Sequence, residues 1–232
     1  GWKVLTNSGV EVVNYLVMVA AAPYEIYGSG LNEVWVAPGT SKESIDAVME
    51  YVPAMHTHFT ARTGVAYPWK NYRQVFVQRF IYGGMENTTA TVMNDRYLRT
   101  ALSPQTNNGA QDVIAHELAH QWYGDLLTCR SWRELWLNEG FATFMASDWH
   151  TTILGDEFYA MSTRRWFSSS SKPYSLAGRY HQGEGDEGHG VYVKGASVLQ
   201  MLRGMFGEDI FWKSIQRYTK KHQHQLVESR DL

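Results

Sequence analysis

The stretch His116-Glu117-Leu118-Ala119-His120 fits the pattern His-Glu-x-x-His, and it is the segment from which the rest of the chain is best interpreted. Apolar residues at Val113 and Ile114 share its helical spacing. On a helix, residues four apart lie on one face about 6 Å apart along the axis, so two imidazoles can bind one ion while the glutamate stays free. Composition alone would produce this match only ~0.02 times in a chain of this length. The segment therefore predicts a metal site on a helix.

A third ligand is required if the metal is a hydrolytic zinc ion, because such an ion takes three protein ligands and keeps a fourth position for water. Glu139 lies 19 positions after His120, on a second helical repeat of apolar residues. Antiparallel packing of the two helices would return its carboxylate to the ion. Glu134 is the alternative, and spacing favours Glu139 but leaves both open.

Composition excludes several classes of protein. The 232 residues include 21 Lys and Arg against 23 Asp and Glu, so a basic nucleic-acid binder and an acidic disordered tail are both excluded. Hydrophobic residues make up 44%, which is enough to bury a core. The most apolar stretch, 15–24, is far shorter than the roughly 20 residues of a membrane span. Nothing in the sequence assigns a compartment.

The predicted elements change from strands to helices along the chain. β-branched and aromatic runs predict strands at 12–19, 34–36, 75–82 and 89–93. A capping pattern at 40–43 predicts one helix that Pro53 kinks and Gly64 ends. From Asp112 onward the apolar spacing is helical. Strands followed by helices predict an α+β fold with a small N-terminal sheet region and a mainly helical lobe.

Three motifs follow one another in the sequence. They are Gly83-Gly84-Met85-Glu86-Asn87, the His-Glu-x-x-His segment followed after seventeen intervening residues by Asn138-Glu139-Gly140-Phe141-Ala142, and Tyr192-Val193-Lys194-Gly195-Ala196. Together they resemble the gluzincin zinc aminopeptidases, the family typified by aminopeptidase N and leukotriene hydrolase. The resemblance covers about 81–202 and implies a thermolysin-like zinc peptidase domain.

Carried over to this chain, the resemblance implies a metal centre and its catalytic groups. His116, His120 and Glu139 would bind one Zn²⁺ ion. Glu117 would act as general base and then carry the proton to the leaving amine, which is the chemistry expected of an uncoordinated glutamate beside a zinc ligand. Tyr192 would donate a hydrogen bond to the oxyanion that develops in the transition state.

The first motif would bind the substrate. The resemblance implies that Glu86 binds the free α-amino group of a peptide, which separates an exopeptidase from an endopeptidase. Gly83 and Gly84 would present backbone groups along the peptide, because glycine lets another backbone approach closely. Met85 and Asn87 complete this substrate-binding segment.

The implied function is zinc-dependent hydrolysis of the N-terminal peptide bond of a peptide with a free N-terminus. The alternatives are a zinc endopeptidase, an epoxide hydrolase of the same family, and a non-catalytic zinc-stabilised module that binds peptide. We expect residues 1–27 to be the closing strands of an upstream β-rich domain and 28–232 to be the catalytic domain. The family carries further domains, so we expect a monomer or contacts with such domains, and reduced activity of this chain alone.

Three further expectations concern residues outside the motifs. The Ser- and Gly-rich tract 168–190 is expected to form a long loop, and Glu187 within it stands where the family commonly has a second tyrosine. We expect Cys129 to be buried and inert. Four histidines outside the motifs are expected to be surface residues; they are His56, His58, His222 and His224.

Overall fold

The computed structural model describes residues 12–103, 107–169, 176 and 190–232. The strands are β1 (Glu25–Ser29), β2 (Asn32–Val36), β3 (Tyr72–Val77), β4 (Gly84–Met85), β5 (Ala90–Asn94), β6 (Leu127–Cys129) and β7 (Gln225–Val227). The helices are α1 (Lys42–Met49), α2 (Val52–Thr63), α3 (Arg96–Thr100), α4 (Asn107–Ala119), α5 (Trp136–Leu154), α6 (Asp156–Ser169), α7 (Gly195–Phe206) and α8 (Glu208–Lys221). The predicted order, a small sheet followed by a mainly helical lobe, is confirmed.

Five strands form one mixed sheet in the order β1-β2-β3-β5-β4. The hairpin β1–β2 is antiparallel, β2, β3 and β5 run parallel, and β4 pairs antiparallel with β5. β3 is central and is buried along almost its whole length. β4 is at the edge, where Gly84 pairs with Met93 and Met85 with Val92. This edge strand lies beside α4, so the first motif comes to the helix that carries the histidines.

The segment predicted as one kinked helix forms two helices, so that prediction is wrong. Ser41 caps α1 by accepting a hydrogen bond from the backbone N–H of Ser44. Pro53 lies in the first turn of α2, where a missing N–H costs nothing, rather than inside a helix where it would produce a kink. The predicted end is confirmed, because Gly64 closes α2 with a φ of 66°.

Helix α5 is the centre of the helical lobe and is buried on nearly all sides. It packs against α4 on one side and against α7 on another. The crossing with α7 is unusually close, because a Cβ added to Gly140 would lie 2.7 Å from Cα of Gly195. Two glycines thus bring the backbones of α5 and α7 into direct contact.

Other predicted elements differ in their bounds. The strand predicted for 12–19 is wrong, because the only regular element there is a short 3₁₀ turn, Asn14–Leu16. The third predicted strand ends at Val77 rather than at Tyr82. The expected division between residues 27 and 28 falls inside β1. Most of the tract 168–190, with Glu187, lies outside the described residues. Among the described helices, none has the length and apolar character needed to cross a bilayer.

Candidate active site

Three side chains converge where the end of α4 meets the first turn of α5. The Nε2 atoms of His116 and His120 lie 3.0 Å apart. Glu139 Oε2 lies 3.2 Å from each of these two nitrogens. Two imidazole nitrogens with one carboxylate oxygen are the donor set of hydrolytic zinc sites. The residues therefore fit a zinc ion, and the packing of α4 against α5 brings them together.

The alternative ligand Glu134 lies elsewhere. Its carboxylate accepts hydrogen bonds from the backbone N–H of Ser229, at 3.1 Å, and from the hydroxyl of the same residue. It is not among the described groups that could hold a metal. The structure thus distinguishes Glu139 from Glu134, which spacing alone could not do.

Hydrogen bonds outside the cluster fix the orientation of its side chains. His120 Nδ1 donates to the backbone carbonyl of Tyr123 at 2.8 Å, which fixes the ring with its Nε2 directed into the cluster. Asn138 accepts from the N–H of Cys129 at 3.0 Å and donates to the hydroxyl of Tyr15 at 3.1 Å. These bonds anchor the first turn of α5, which carries Glu139. No local sequence pattern predicted a role in the site for Tyr15, Tyr123 or Asn138.

Charge in the cluster suits a cation. Burial acts to raise the pKa of Glu139, but the charge of His120 and hydrogen bonds from both imidazoles lower it, so this carboxylate is ionised. Burial acts to lower the pKa of His120, whereas the charges of Glu86 and Glu139 raise it well above its usual value. A positive charge is therefore favoured at this point of the protein.

Glu117 is buried beside the cluster without being part of it. It is 5% exposed, and its Oε2 has no hydrogen-bond partner among the described residues. Burial raises its pKa well above the usual value. Gly84 of β4 packs directly on this side chain, because a Cβ added there would lie 2.5 Å from Cγ of Glu117. A larger residue at this position would displace the side chain of Glu117, which gives this glycine a packing role in addition to the expected contact with a peptide backbone.

The rest of the first motif surrounds the same space. Ligand atoms of Glu86, Glu117 and His120 all lie within 4.8 Å of one another. Asn87 is buried, and its Nδ2 donates to the backbone carbonyl of Leu16 at 3.2 Å. The structure thus brings Glu86 to the cluster and directs the amide of Asn87 towards the segment Asn14–Leu16.

Gly83 directly precedes β4, and Met85 belongs to it. The carbonyl of Gly83 accepts from the N–H of Asn94 at 2.9 Å, and a Cβ added to Gly83 would lie 2.8 Å from the hydroxyl of Tyr97. Met85 pairs with Val92 of β5. The neighbouring β5 therefore holds the glycine segment from one side, while α4 lies on the other.

Tyr192 reaches the cluster from a π-helical turn, Gly190–Lys194, that leads into α7. Its ring stacks on His116 with centroids 5.9 Å apart and an interplanar angle of 22°. Tyr192 is 36% exposed, and its partial burial together with the negative charge of Glu139 raises its pKa, so the hydroxyl keeps its proton and can donate. The contact between Gly140 and Gly195 holds this turn against α5.

Three histidines expected at the surface are not surface residues. His56 is 7% exposed and contacts Asn32 Oδ1 at 2.9 Å, and burial lowers its pKa to about 4. His58 Nε2 lies 2.8 Å from the buried carboxylate of Asp148, and His222 is also buried. His224 is exposed, as predicted.

Cys129 is buried, as expected. Burial, reinforced by the charges of Glu139 and Glu86, raises the pKa of its thiol to about 12. The thiolate is therefore strongly disfavoured at neutral pH, in keeping with an unreactive cysteine.

Comparison with known proteins identifies related sequences. The profile described as the Peptidase family M1 domain matches residues 44–232. Aminopeptidase N of Streptomyces lividans is 28% identical, with 96% of this chain and 30% of that protein aligned. Aminopeptidase M1 of Arabidopsis thaliana is 33% identical, with 72% of this chain and 20% of that protein aligned. The chain thus spans less than a third of the length of these relatives.

Solved structures share the fold. The native leukotriene A4 hydrolase of Saccharomyces cerevisiae superposes with a TM-score of 0.75 at 23% identity, over 89% of this chain and 34% of that chain. The complex of the yeast hydrolase with bestatin gives a TM-score of 0.76 over 90% of this chain. At this level of identity the likeness supports the architecture and nothing finer.

Proposed function

Because this chain belongs to peptidase family M1, we propose that it is a zinc-dependent aminopeptidase domain that hydrolyses the N-terminal peptide bond of peptides. The observation that carries the proposal is the joint placement of three candidate metal ligands with two further buried carboxylates. Ligand atoms of His116, His120 and Glu139 lie within 4.8 Å of one another, and those of Glu86, Glu117 and His120 do so as well. Side chains that could hold a cation, accept a proton and pair with an ammonium therefore lie close together.

His116, His120 and Glu139 would hold the zinc ion. Their donor atoms are mutually within 3.2 Å, and His120 is oriented by the carbonyl of Tyr123. When bound, zinc acts as a Lewis acid that acidifies water and polarises a carbonyl group. Zinc content of the purified protein, near one equivalent and lost in a His120→Ala variant, is the expected result.

Glu117 would accept the proton of the attacking water and pass it to the leaving amine. The support is positional: the side chain is buried, lies next to the triad and has an oxygen without a hydrogen-bond partner among the described residues. A carboxylate that neither binds the metal nor is used by a protein donor is available for proton transfer. Tyr192, whose ring stacks on His116, would donate a hydrogen bond from its hydroxyl to the oxyanion.

Glu86 would select substrates with a free N-terminus. It is 7% exposed and lies beside Glu117 and His120, so an ammonium group brought next to it would be paired in a site largely shielded from water. A blocked N-terminus has no positive charge to offer. We therefore expect cleavage at the first peptide bond and not within a chain.

The test compares an amino-acid p-nitroanilide with its N-acetylated twin. The proposal predicts cleavage of the free-amino compound, loss of cleavage with chelator, and little or no cleavage of the acetylated compound. Equal cleavage of both would remove Glu86 from its role and favour an endopeptidase. The Glu117→Gln variant should keep zinc and fold but lose turnover, and retained turnover would refute the base assignment. A protein that binds zinc but cleaves neither compound would be the non-catalytic module.

A further inference from the structure

A glutamine that belongs to none of the three motifs holds the loop that carries Glu86. Gln121 follows the last histidine of the metal triad and is 0% exposed. Its Nε2 donates to the backbone carbonyl of Glu86 at 3.1 Å, and its Oε1 accepts from the backbone N–H of Thr89 at 2.9 Å. One side-chain amide thus closes the loop 86–89 in the way that a paired strand would.

The loop needs such an anchor because its own backbone is not in a relaxed conformation. Thr89 has a φ of 67°, in the left-handed region that L-residues other than Asn and Asp rarely adopt. Within the loop, the N–H of Ala90 donates to the carbonyl of Asn87 at 2.9 Å. Such a turn persists only when the surroundings hold it in place.

Gln121 is itself held rigidly. Its backbone carbonyl accepts from Nε1 of Trp69 at 3.1 Å. The hydroxyl of Tyr67 lies 3.4 Å from its Oε1 and donates to the carbonyl of Asn71 at 2.9 Å. Because Gln121 directly follows His120, the same turn of backbone carries a residue of the metal triad and holds the loop.

We infer that Gln121 is a positioning residue for substrate selection: it fixes the carboxylate of Glu86 relative to His120, and so sets how strongly the site prefers a free N-terminus. The inference rests on the proposed function, because it assigns Gln121 a part in the amino-group recognition proposed for Glu86. Gln121 touches no reacting atom. Its effect is transmitted through the backbone of the loop.

The test uses Gln121→Met, which has similar volume but neither hydrogen bond to the loop. Gln111→Met is the matched control, because Gln111 lies on the preceding helix α4, is 1% exposed, and donates to the carbonyl of Ala47, away from the loop. In Gln121→Met we expect KM for the free-amino p-nitroanilide to rise about tenfold or more with a smaller change in kcat. Zinc content should stay at the wild-type value. Gln111→Met should leave both KM and the preference for a free N-terminus unchanged.

Hydrogen exchange gives a readout that does not depend on activity. The peptide spanning 86–90 should exchange roughly tenfold faster in Gln121→Met than in wild type, because the N–H of Thr89 loses this acceptor. If Gln121→Met does not fold, Gln121→Asn replaces it, since its shorter side chain cannot span both loop groups. Unchanged exchange together with an unchanged KM would overturn the inference. Faster exchange in Gln121→Met, combined with equal cleavage of both reporters by the wild-type protein, would leave the anchoring role of Gln121 intact. It would instead overturn the proposed function of Glu86.

Discussion

The contact between Gly140 and Gly195 predicts that a single methyl group will damage both stability and catalysis. A Cβ added to Gly195 would lie 2.8 Å from Cα of Gly140, which is backbone and cannot rotate away as a side chain can. Helices α5 and α7 must therefore separate. Glu139 precedes one of these glycines and Tyr192 lies three residues before the other, so separation of the helices moves the two groups apart.

The expected cost follows from the packing. Overfilling a well-packed contact costs typically 1–3 kcal/mol, so Gly195→Ala should lower the free energy of unfolding by about that amount. For a domain of this size that corresponds to a fall in Tm of roughly 2–12 °C. Gly204 is the matched control, because it lies on the same helix and an added Cβ would meet nothing within 4 Å. Gly204→Ala should instead stabilise by about 0.5–1 kcal/mol through the better helix propensity of alanine.

We would measure the calorimetric unfolding of the two variants and of wild type, and then their turnover of the free-amino p-nitroanilide. We expect kcat of Gly195→Ala to fall about 100-fold, because a displacement of about 1 Å is enough for such a loss. Gly204→Ala should keep wild-type kcat. If Gly195→Ala were as stable and as active as Gly204→Ala, the close crossing would not position Tyr192 and the reasoning would be refuted.

Three further predictions concern other parts of the protein. Gly84→Ala should reduce kcat at least tenfold with zinc content unchanged, because the added methyl displaces the side chain of Glu117; wild-type kcat would contradict the contact. Asp148→Ala should lower the free energy of unfolding by about 3–5 kcal/mol in urea titration, since it leaves Arg62 and Arg203 without their shared buried carboxylate; a loss below about 1 kcal/mol would show that the cluster contributes little. His56 has a folded pKa of about 4 against 6.5 unfolded, so the unfolded state binds the extra proton first, and stability should fall by roughly 3 kcal/mol between pH 7 and pH 4. His56→Gln should remove that part of the pH dependence, which urea unfolding midpoints measured between pH 7 and pH 4 would show. A variant whose midpoints change with pH as those of wild type do would contradict the prediction.

The helices were predictable because their signals are local. The spacing around His116 predicted a helix and a metal site together, and Gly64 predicted the end of α2 through its freedom to adopt positive φ. Pro53 misled the prediction, since the same residue is compatible with a kink inside a helix and with the first turn of a new one. The sequence alone could not distinguish these two positions.

The predictions that failed depend on contacts made across the chain. The run 12–19 has strand propensity, but Tyr15 and Leu16 are bonded to Asn138 and Asn87, and these tertiary bonds accompany a turn instead of a strand. His56 lies among aromatic rings, which no local pattern around it indicates.

The sequence motifs indicated which residues come together in the candidate site. They did not indicate the contacts that hold those residues in place. The motifs contain Gly140, Gly195 and Gly84, but only the folded chain brings the first two into contact with each other and the third onto Glu117. Gln121 had no local signal at all, because its partners lie more than thirty residues earlier in the sequence. Its neighbour His120 was the one clue to its location.

The central claim is that His116, His120 and Glu139 hold one zinc ion beside Glu117. An anomalous difference map, recorded at the zinc absorption edge from crystals grown with one equivalent of zinc, tests it most directly. We predict a single peak at about 2.0–2.2 Å from Nε2 of both histidines and from a carboxylate oxygen of Glu139, with Glu117 not bonded to it. A peak bonded instead by Glu86 and Glu117, or no peak at this triad, would contradict the account.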